Sequence, residues 1–107
     1  MKRLAMLFVL AALFAGLNAS TAFASGKSNF EEKCAVCHGV SGKGDGPAAP
    51  ALAPRPSNLV AASKMRTDVQ LKASIRDGRA GTAMPPWKGI LSDSEIDSII
   101  SYIRTLK

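Results

Sequence analysis

Histidine occurs once among the 107 residues and cysteine twice, and all three fall within five consecutive positions, Cys34-Ala35-Val36-Cys37-His38. Their scarcity elsewhere excludes several kinds of site. Three such side chains fall short of the four ligands of a structural zinc site. A redox dithiol of the thioredoxin kind would follow a strand inside a βαβ unit, and no segment has the apolar/polar alternation of a strand. Long apolar runs are also missing: Leu4 to Leu17 is 14 residues, against the roughly 20 needed to span a bilayer. The Gly- and Pro-rich stretch from Gly39 to Pro56 lacks both a preceding strand and the Gly-Lys-Ser/Thr ending of a phosphate-binding loop. Acidic side chains are the minority, 8 against 14 basic, for a net charge of +6.

What is present is a Cys-x-x-Cys-His run, the spacing of a c-type haem attachment site. On one helical turn the two sulfurs can add across the two vinyl groups of a haem. The following imidazole can then sit beneath the iron and ligate it. A disulfide between residues three apart would leave His38 without a role.

The amino terminus predicts export. Lys2 and Arg3 precede the apolar run, and Ala22-Phe23-Ala24 places small residues where signal peptidase reads them. We expect a signal peptide over 1–24 and a single domain over 25–107, located in the periplasm. An uncleaved anchor is the alternative, since Leu4 to Ala24 is mostly apolar. The 83 residues from Ser25 to Lys107 carry 12 basic and 8 acidic side chains, a net charge of +4. So short a chain buries a thin core, and a cofactor commonly completes it. The basic residues are scattered, which argues against nucleic acid. A modest positive surface suits acidic partner proteins or anionic membranes.

The fold class expected is all-α, with three main helices and loops. The first helix starts at Ser28 or Asn29 and runs into the Cys-x-x-Cys-His turn, with Phe30 and Cys34, four apart, on one face. The second is announced by Thr67-Asp68-Val69-Gln70, a capping box, and ends at Gly78. Ser92 and Glu95 cap the third, along which Ile96, Ile99, Ile100 and Ile103 form an apolar stripe. The glycines of 39–56 are expected to let the backbone approach the cofactor closely.

With one histidine, the iron's other axial position falls to methionine, lysine, water or nothing. Outside the signal segment the methionines are Met65 and Met84. Met84 is preferred, because Pro85 and Pro86 stiffen Gly81-Thr82-Ala83-Met84-Pro85-Pro86-Trp87 and keep it from becoming helix. Met65 sits between Lys64 and Arg66.

Cys34-Ala-Val-Cys37-His38-Gly39, Gly42-Lys-Gly-Asp-Gly-Pro47, Ala83-Met84-Pro85-Pro86-Trp87 and the closing Leu91-Ser-Asp-Ser-Glu95-Ile96…Tyr102-Ile103 together resemble a small single-haem class I cytochrome c. The resemblance implies a helical fold around one covalent haem c, thioethers at Cys34 and Cys37, and axial ligands His38 and Met84. It also implies a loop proline carbonyl that accepts from the axial imidazole, here Pro47 with Pro50 as alternative, and a first-to-last helix crossing at Phe30 and Tyr102. Trp87 is a candidate for packing on the haem edge, and Arg79 or Arg55 for pairing with propionates. The implied role is that of an electron carrier, not an enzyme. It would be monomeric, without stable membrane insertion, and would meet redox partners through lysines such as Lys33, Lys43, Lys72 and Lys88. Two rivals are a haem subunit of a larger oxidoreductase, and a gas sensor or peroxidase-like protein with an open sixth ligand. Peroxidase chemistry wants polar distal groups, and there is no spare histidine.

Overall fold

Residues 22–107 are described by the structure, a computed structural model; of the predicted signal segment, 1–21 lie outside the described residues. Helix α1 covers 22–38, including a π turn over Phe30–Cys34 and a final α turn over Ala35–His38. A 3₁₀ turn, Ala49–Ala51, interrupts the following loop. Helices α2 (Leu59–Met65), α3 (Asp68–Asp77) and α4 (Asp93–Ile103) complete the domain. No strand forms among the described residues, only an isolated bridge between Lys88 and Leu91. The fold is all-α.

Both predicted capping boxes form. Thr67 accepts from the Gln70 N–H and Ser92 from the Glu95 N–H, while Gln70 and Glu95 reach back to the cap N–H groups. Each pair satisfies two donors that a helix start otherwise leaves open. Helix α2 is an addition to the three expected. It is capped by Asn58, whose side chain accepts from the Ala61 N–H at 3.1 Å.

Helix α1 begins before the Ser28/Asn29 cap expected for it. Asn29 has helical angles (φ −62°, ψ −40°), and its amide joins Ser25 and Lys33 one turn to either side. The reason for the earlier start lies in α4. Gly26 is buried against it so closely that a Cβ there would fall 2.2 Å from the Ser98 carbonyl oxygen. One turn on, the Phe30 ring meets Tyr102 with centroids 5.3 Å apart, the crossing expected of these two residues. Phe23 meets the same tyrosine edge-on at 6.1 Å.

The π turn changes which residues share a face. The Ala35 N–H reaches the Phe30 carbonyl, one residue beyond the α-helical partner. Gly26, Phe30 and Ala35 therefore form the buried face, while Cys34, Cys37 and His38 line a cavity. Cys34 packs against the same core as Phe30, as their four-residue spacing predicts, and lines the cavity as well.

Phe30, Ile96 and Ile99 are fully buried, each contributing about 1.5–3 kcal/mol from removal of apolar surface from water. Ion pairs between α3 and α4, Lys72–Asp97 at 2.9 Å and Arg76–Asp93 at 3.5 Å, have exposed carboxylates and add roughly 0–1 kcal/mol each. Packing dominates. The segment after α4 is held differently. Arg104 donates from Nε to Asp68 at the start of α3 at 2.6 Å, and from its two terminal nitrogens to the carbonyls of Ser63 and Arg66. One guanidinium thus ties the α2–α3 corner to the end of α4.

Candidate haem site

Four segments converge on a cavity of about 410 Å³, within the roughly 300–1,000 Å³ of small-molecule sites. The end of α1 presents Cys34, Cys37 and His38 to it; the extended strap Pro54–Ser57 forms one wall; the segment 82–87 contributes Met84 and Trp87; Leu71, Leu91, Ile99 and Ile103 supply an apolar floor.

The end of α1 is fixed by the loop that follows it. The N–H groups of Ala48, Gly46 and Gly44 donate to the carbonyls of Val36, Cys37 and His38 at 2.9, 3.0 and 2.8 Å. These are carbonyls a helix end would otherwise leave unpaired. Gly46 sits so near that a Cβ would lie 2.4 Å from the Val36 oxygen. Gly46 therefore presses on the helix, while a Cβ on Gly42 would meet Leu106 and one on Gly44 the Pro56 carbonyl oxygen. Only Leu52 and the Pro54–Ser57 strap of this loop line the cavity, which corrects the expected close approach of the glycines to the cofactor.

His38 Nδ1 lies 3.0 Å from the Ser57 carbonyl oxygen. The expected partner, Pro47, is exposed and outside the cavity lining, as is Pro50. Gly46 and Ala48 on either side of Pro47 are bonded to Cys37 and Val36, so the proline is held along the helix end and away from the imidazole. With Nδ1–H donating to Ser57, the Nε2 lone pair is left for a metal. Burial lowers the proton affinity of His38, against the opposing effect of the Ser57 bond, and so favours the neutral, ligating form.

Cys34 and Cys37 are free thiols, not a disulfide. Burial pushes the Cys34 thiol up to about 11, partly offset by neighbouring Lys33. Among the described residues no cluster of three or more His, Cys, Asp or Glu forms that could hold a bare metal ion.

Met84 is placed by the end of α3. The Trp87 and Lys88 N–H groups donate to the Ile75 and Arg76 carbonyls at 3.0 and 3.2 Å, and the Arg79 N–H donates to the Met84 carbonyl at 3.2 Å. The Met84 N–H finds the Thr82 hydroxyl at 3.1 Å. Pro85 and Pro86 carry no N–H to satisfy. Gly78 (φ +68°) lets this strand of chain pass: a Cβ there would be 2.8 Å from the Met84 oxygen. Met65, by contrast, is 83% exposed and lies outside the cavity. Trp87, Arg79 and Arg55 all line it. Of the proposed docking lysines, Lys72 is paired with Asp97 and Lys33 bonds Asn29, leaving Lys43 and Lys88 exposed.

The family profile described as cytochrome c oxidase, cbb3-type, subunit III matches residues 21–103. The chain belongs to the cytochrome c family. It is 33% identical to cytochrome c-554(547) of Halothiobacillus neapolitanus, over 78% of this chain and 96% of that protein. It is 35% identical to the cbb3-type cytochrome c oxidase subunit CcoP of Azospirillum sp. (strain B510), of which it spans only 28%. Among solved structures it resembles a chain of the Kuenenia stuttgartiensis reducing HAO-like protein complex Kustc0457/Kustc0458 (TM-score 0.68, 26% identity, 76% of this chain and 40% of that one). The c-type cytochrome NirC is similar as well (TM-score 0.58, 25% identity, 75% and 85%). KustC0563, a c-type cytochrome at 20% identity with a TM-score of 0.64 over 77% of this chain and 96% of that one, shares the fold. A cytochrome c family chain carries covalent c-type haem and transfers electrons, and the residues here fit that group. Two free thiols and an imidazole with its Nε2 uncommitted open from one helical turn onto an apolar cavity, and a thioether lines the same space.

Proposed function

We propose that this chain is a periplasmic carrier of single electrons, with one haem held by thioethers to Cys34 and Cys37 and ligated by His38 and Met84. The observation that carries the proposal is the shared cavity. Of the two methionines outside the signal segment, Met84 lines it with His38, while Met65 stands in solvent.

A haem bound here supplies a one-electron ferric/ferrous couple. The protein's part is to hold the coordination nearly constant. The Ser57 carbonyl orients the imidazole and raises its basicity as a ligand. The bonds of Trp87 and Lys88 to the Ile75 and Arg76 carbonyls of α3, and of the Arg79 N–H to the Met84 carbonyl, pin the methionine loop, so that a weak thioether donor is kept in reach. Methionine ligation and an apolar surround both favour the reduced state and so a higher potential. With His38 and Met84 both holding a bound haem, oxygen and other small ligands would be kept off its iron. Electron transfer, not turnover of a substrate, follows from a closed site.

Among the described residues no helix is long and apolar enough to cross a membrane. Residence in the periplasm rests on the signal segment over 1–24, with Ser25 as the first residue of the mature chain. We take the protein to be monomeric and to meet acidic redox partners through exposed lysines such as Lys43 and Lys88. A second reading, a haem domain acting within a larger oxidoreductase, is favoured by one observation: the chain matches 28% of CcoP. Intact mass separates these points. The proposal expects a chain starting at Ser25 plus one haem that survives denaturation, running alone at native mass. Haem lost on denaturation would contradict covalent attachment, and a chain that purifies only within a complex would favour the second reading.

A further inference from the structure

The charged residues of the cavity lining are all of one sign. Lys33, Arg55, Arg66 and Arg79 line it, and no Asp or Glu does. Ion pairs among the described residues engage Lys27, Lys33, Lys72, Arg76 and Arg104; none of the three cavity arginines is within 4.0 Å of a carboxylate there. Arg55 and Arg79 are exposed, so water can solvate them. Arg66 is half-buried. A cation withdrawn from water costs free energy unless an anion meets it, and a guanidinium fits a carboxylate through two parallel bonds.

Arg66 is also the most firmly placed of the three. It caps α2 with extended angles (φ −122°, ψ 148°). Its N–H donates to the Ala62 carbonyl at 2.9 Å, and its own carbonyl accepts from Arg104 at 3.1 Å. Arg104 is fixed in turn by Asp68 and by the Ser63 carbonyl. The backbone that aims the Arg66 side chain is therefore held from two directions.

We propose that Arg66 is the carboxylate anchor of this cavity, pairing with a propionate of the bound haem, and that Arg104 is the residue that positions it. The inference rests on the covalent-haem reading and differs from the sequence expectation, which named Arg79 or Arg55 as candidates. Charge complementarity selects the ligand group: a lining with cations and no acid calls for a carboxylate-bearing ligand.

The test is the reduction potential of the haem-loaded protein as a function of pH. A propionate paired with a guanidinium stays ionised to lower pH, by about one to three units. Potential falls as pH rises through the propionate's titration, because the new negative charge favours ferric iron. Arg66→Gln should move that step up by about one to three pH units, Arg66→Lys should restore part of the shift, and Arg104→Gln should move it less. Arg104→Gln should add nothing in an Arg66→Gln background. The exposed Lys64→Gln should leave the curve unchanged. If the Arg66→Gln curve overlays the wild type while haem remains attached and six-coordinate, the anchor assignment is overturned. Should that variant not accumulate, Arg66→Met is read in its place, and a wild-type curve for it together with one for Arg104→Gln overturns the assignment equally. Haem lost on denaturation of the wild type would instead overturn the reading beneath it.

Discussion

The Nδ1 of His38 lies 3.0 Å from the carbonyl oxygen of Ser57, which is 19 residues further along the chain. This contact decides the tautomer of the only imidazole and leaves Nε2 to face the cavity. It depends on a strap, Pro54–Ser57, in which Pro54 and Pro56 restrict the backbone. Replacing Pro56 with glycine should loosen the strap by about 0.4–1 kcal/mol. The His38 Nδ1–H of the haem-loaded protein should then exchange with solvent about two- to fivefold faster, measured by NMR on the reduced form. Unchanged exchange would mean the strap is held by something other than its prolines.

Gly78 and Gly89 both have positive φ, +68° and +86°, but differ in what surrounds them. A Cβ on Gly78 meets the Met84 and Pro85 backbone, whereas Gly89 faces open space. Alanine at either position carries a backbone penalty of about 1 kcal/mol. Only Gly78→Ala should displace the methionine loop, so only it should let carbon monoxide bind the ferrous protein, as read from the visible spectrum.

Gly26 reverses a common expectation. Glycine to alanine within a helix ordinarily stabilises by about 0.5–1 kcal/mol. Here the added carbon would fall 2.2 Å from the Ser98 oxygen of α4. Forcing such a contact typically costs about 1–3 kcal/mol, so the steric cost wins. Gly26→Ala should lower the thermal midpoint, while alanine at the exposed Ser28 should leave it nearly unchanged.

Much of the fold could be read from local pattern. The capping boxes at Thr67 and Ser92 and the isoleucine stripe of α4 depend on residues three or four apart, and all form as expected. The cavity-facing positions of Cys34, Cys37, His38 and Met84 were also readable, because a haem motif and a proline-stiffened loop are short-range signals. Features fixed by distant partners were not. Asn29 resembles a helix cap in sequence, but α4 receives Gly26 and keeps the helix going upstream of it. The π turn at Phe30–Cys34 has no composition of its own; it is what lets Phe30 and Ala35 share the buried face. Pro47 was the natural choice beside His38 until the bonds of Gly46 and Ala48 to α1 carried it elsewhere. Arg104 has no local signal linking it to Arg66, whose carbonyl it reaches across 38 positions of the chain.

Glu95 gives a prediction in pH. The Ser92 N–H, bonded to its carboxylate at 3.0 Å, holds Glu95 below its ordinary value of 4.5. A carboxyl group with a lowered folded value contributes stability above its ordinary value and loses that contribution as pH falls through the lowered one. The thermal midpoint should therefore drop below about pH 4.5 by more in the wild type than in Glu95→Gln. The two curves should converge in acid and separate near neutrality. Parallel curves would show that the capping box carries no charge-dependent part.

The central claim is a closed His38/Met84 iron site, and the visible spectrum of the purified protein tests it most directly. Ferric and ferrous samples of the wild type, Met84→Ala and Met65→Ala would be recorded before and after addition of carbon monoxide. The wild type and Met65→Ala should display a thioether-to-iron charge-transfer band and no response to carbon monoxide; Met84→Ala should lose the band and bind the gas. A high-spin ferric wild type, or one that binds carbon monoxide promptly, would contradict the account.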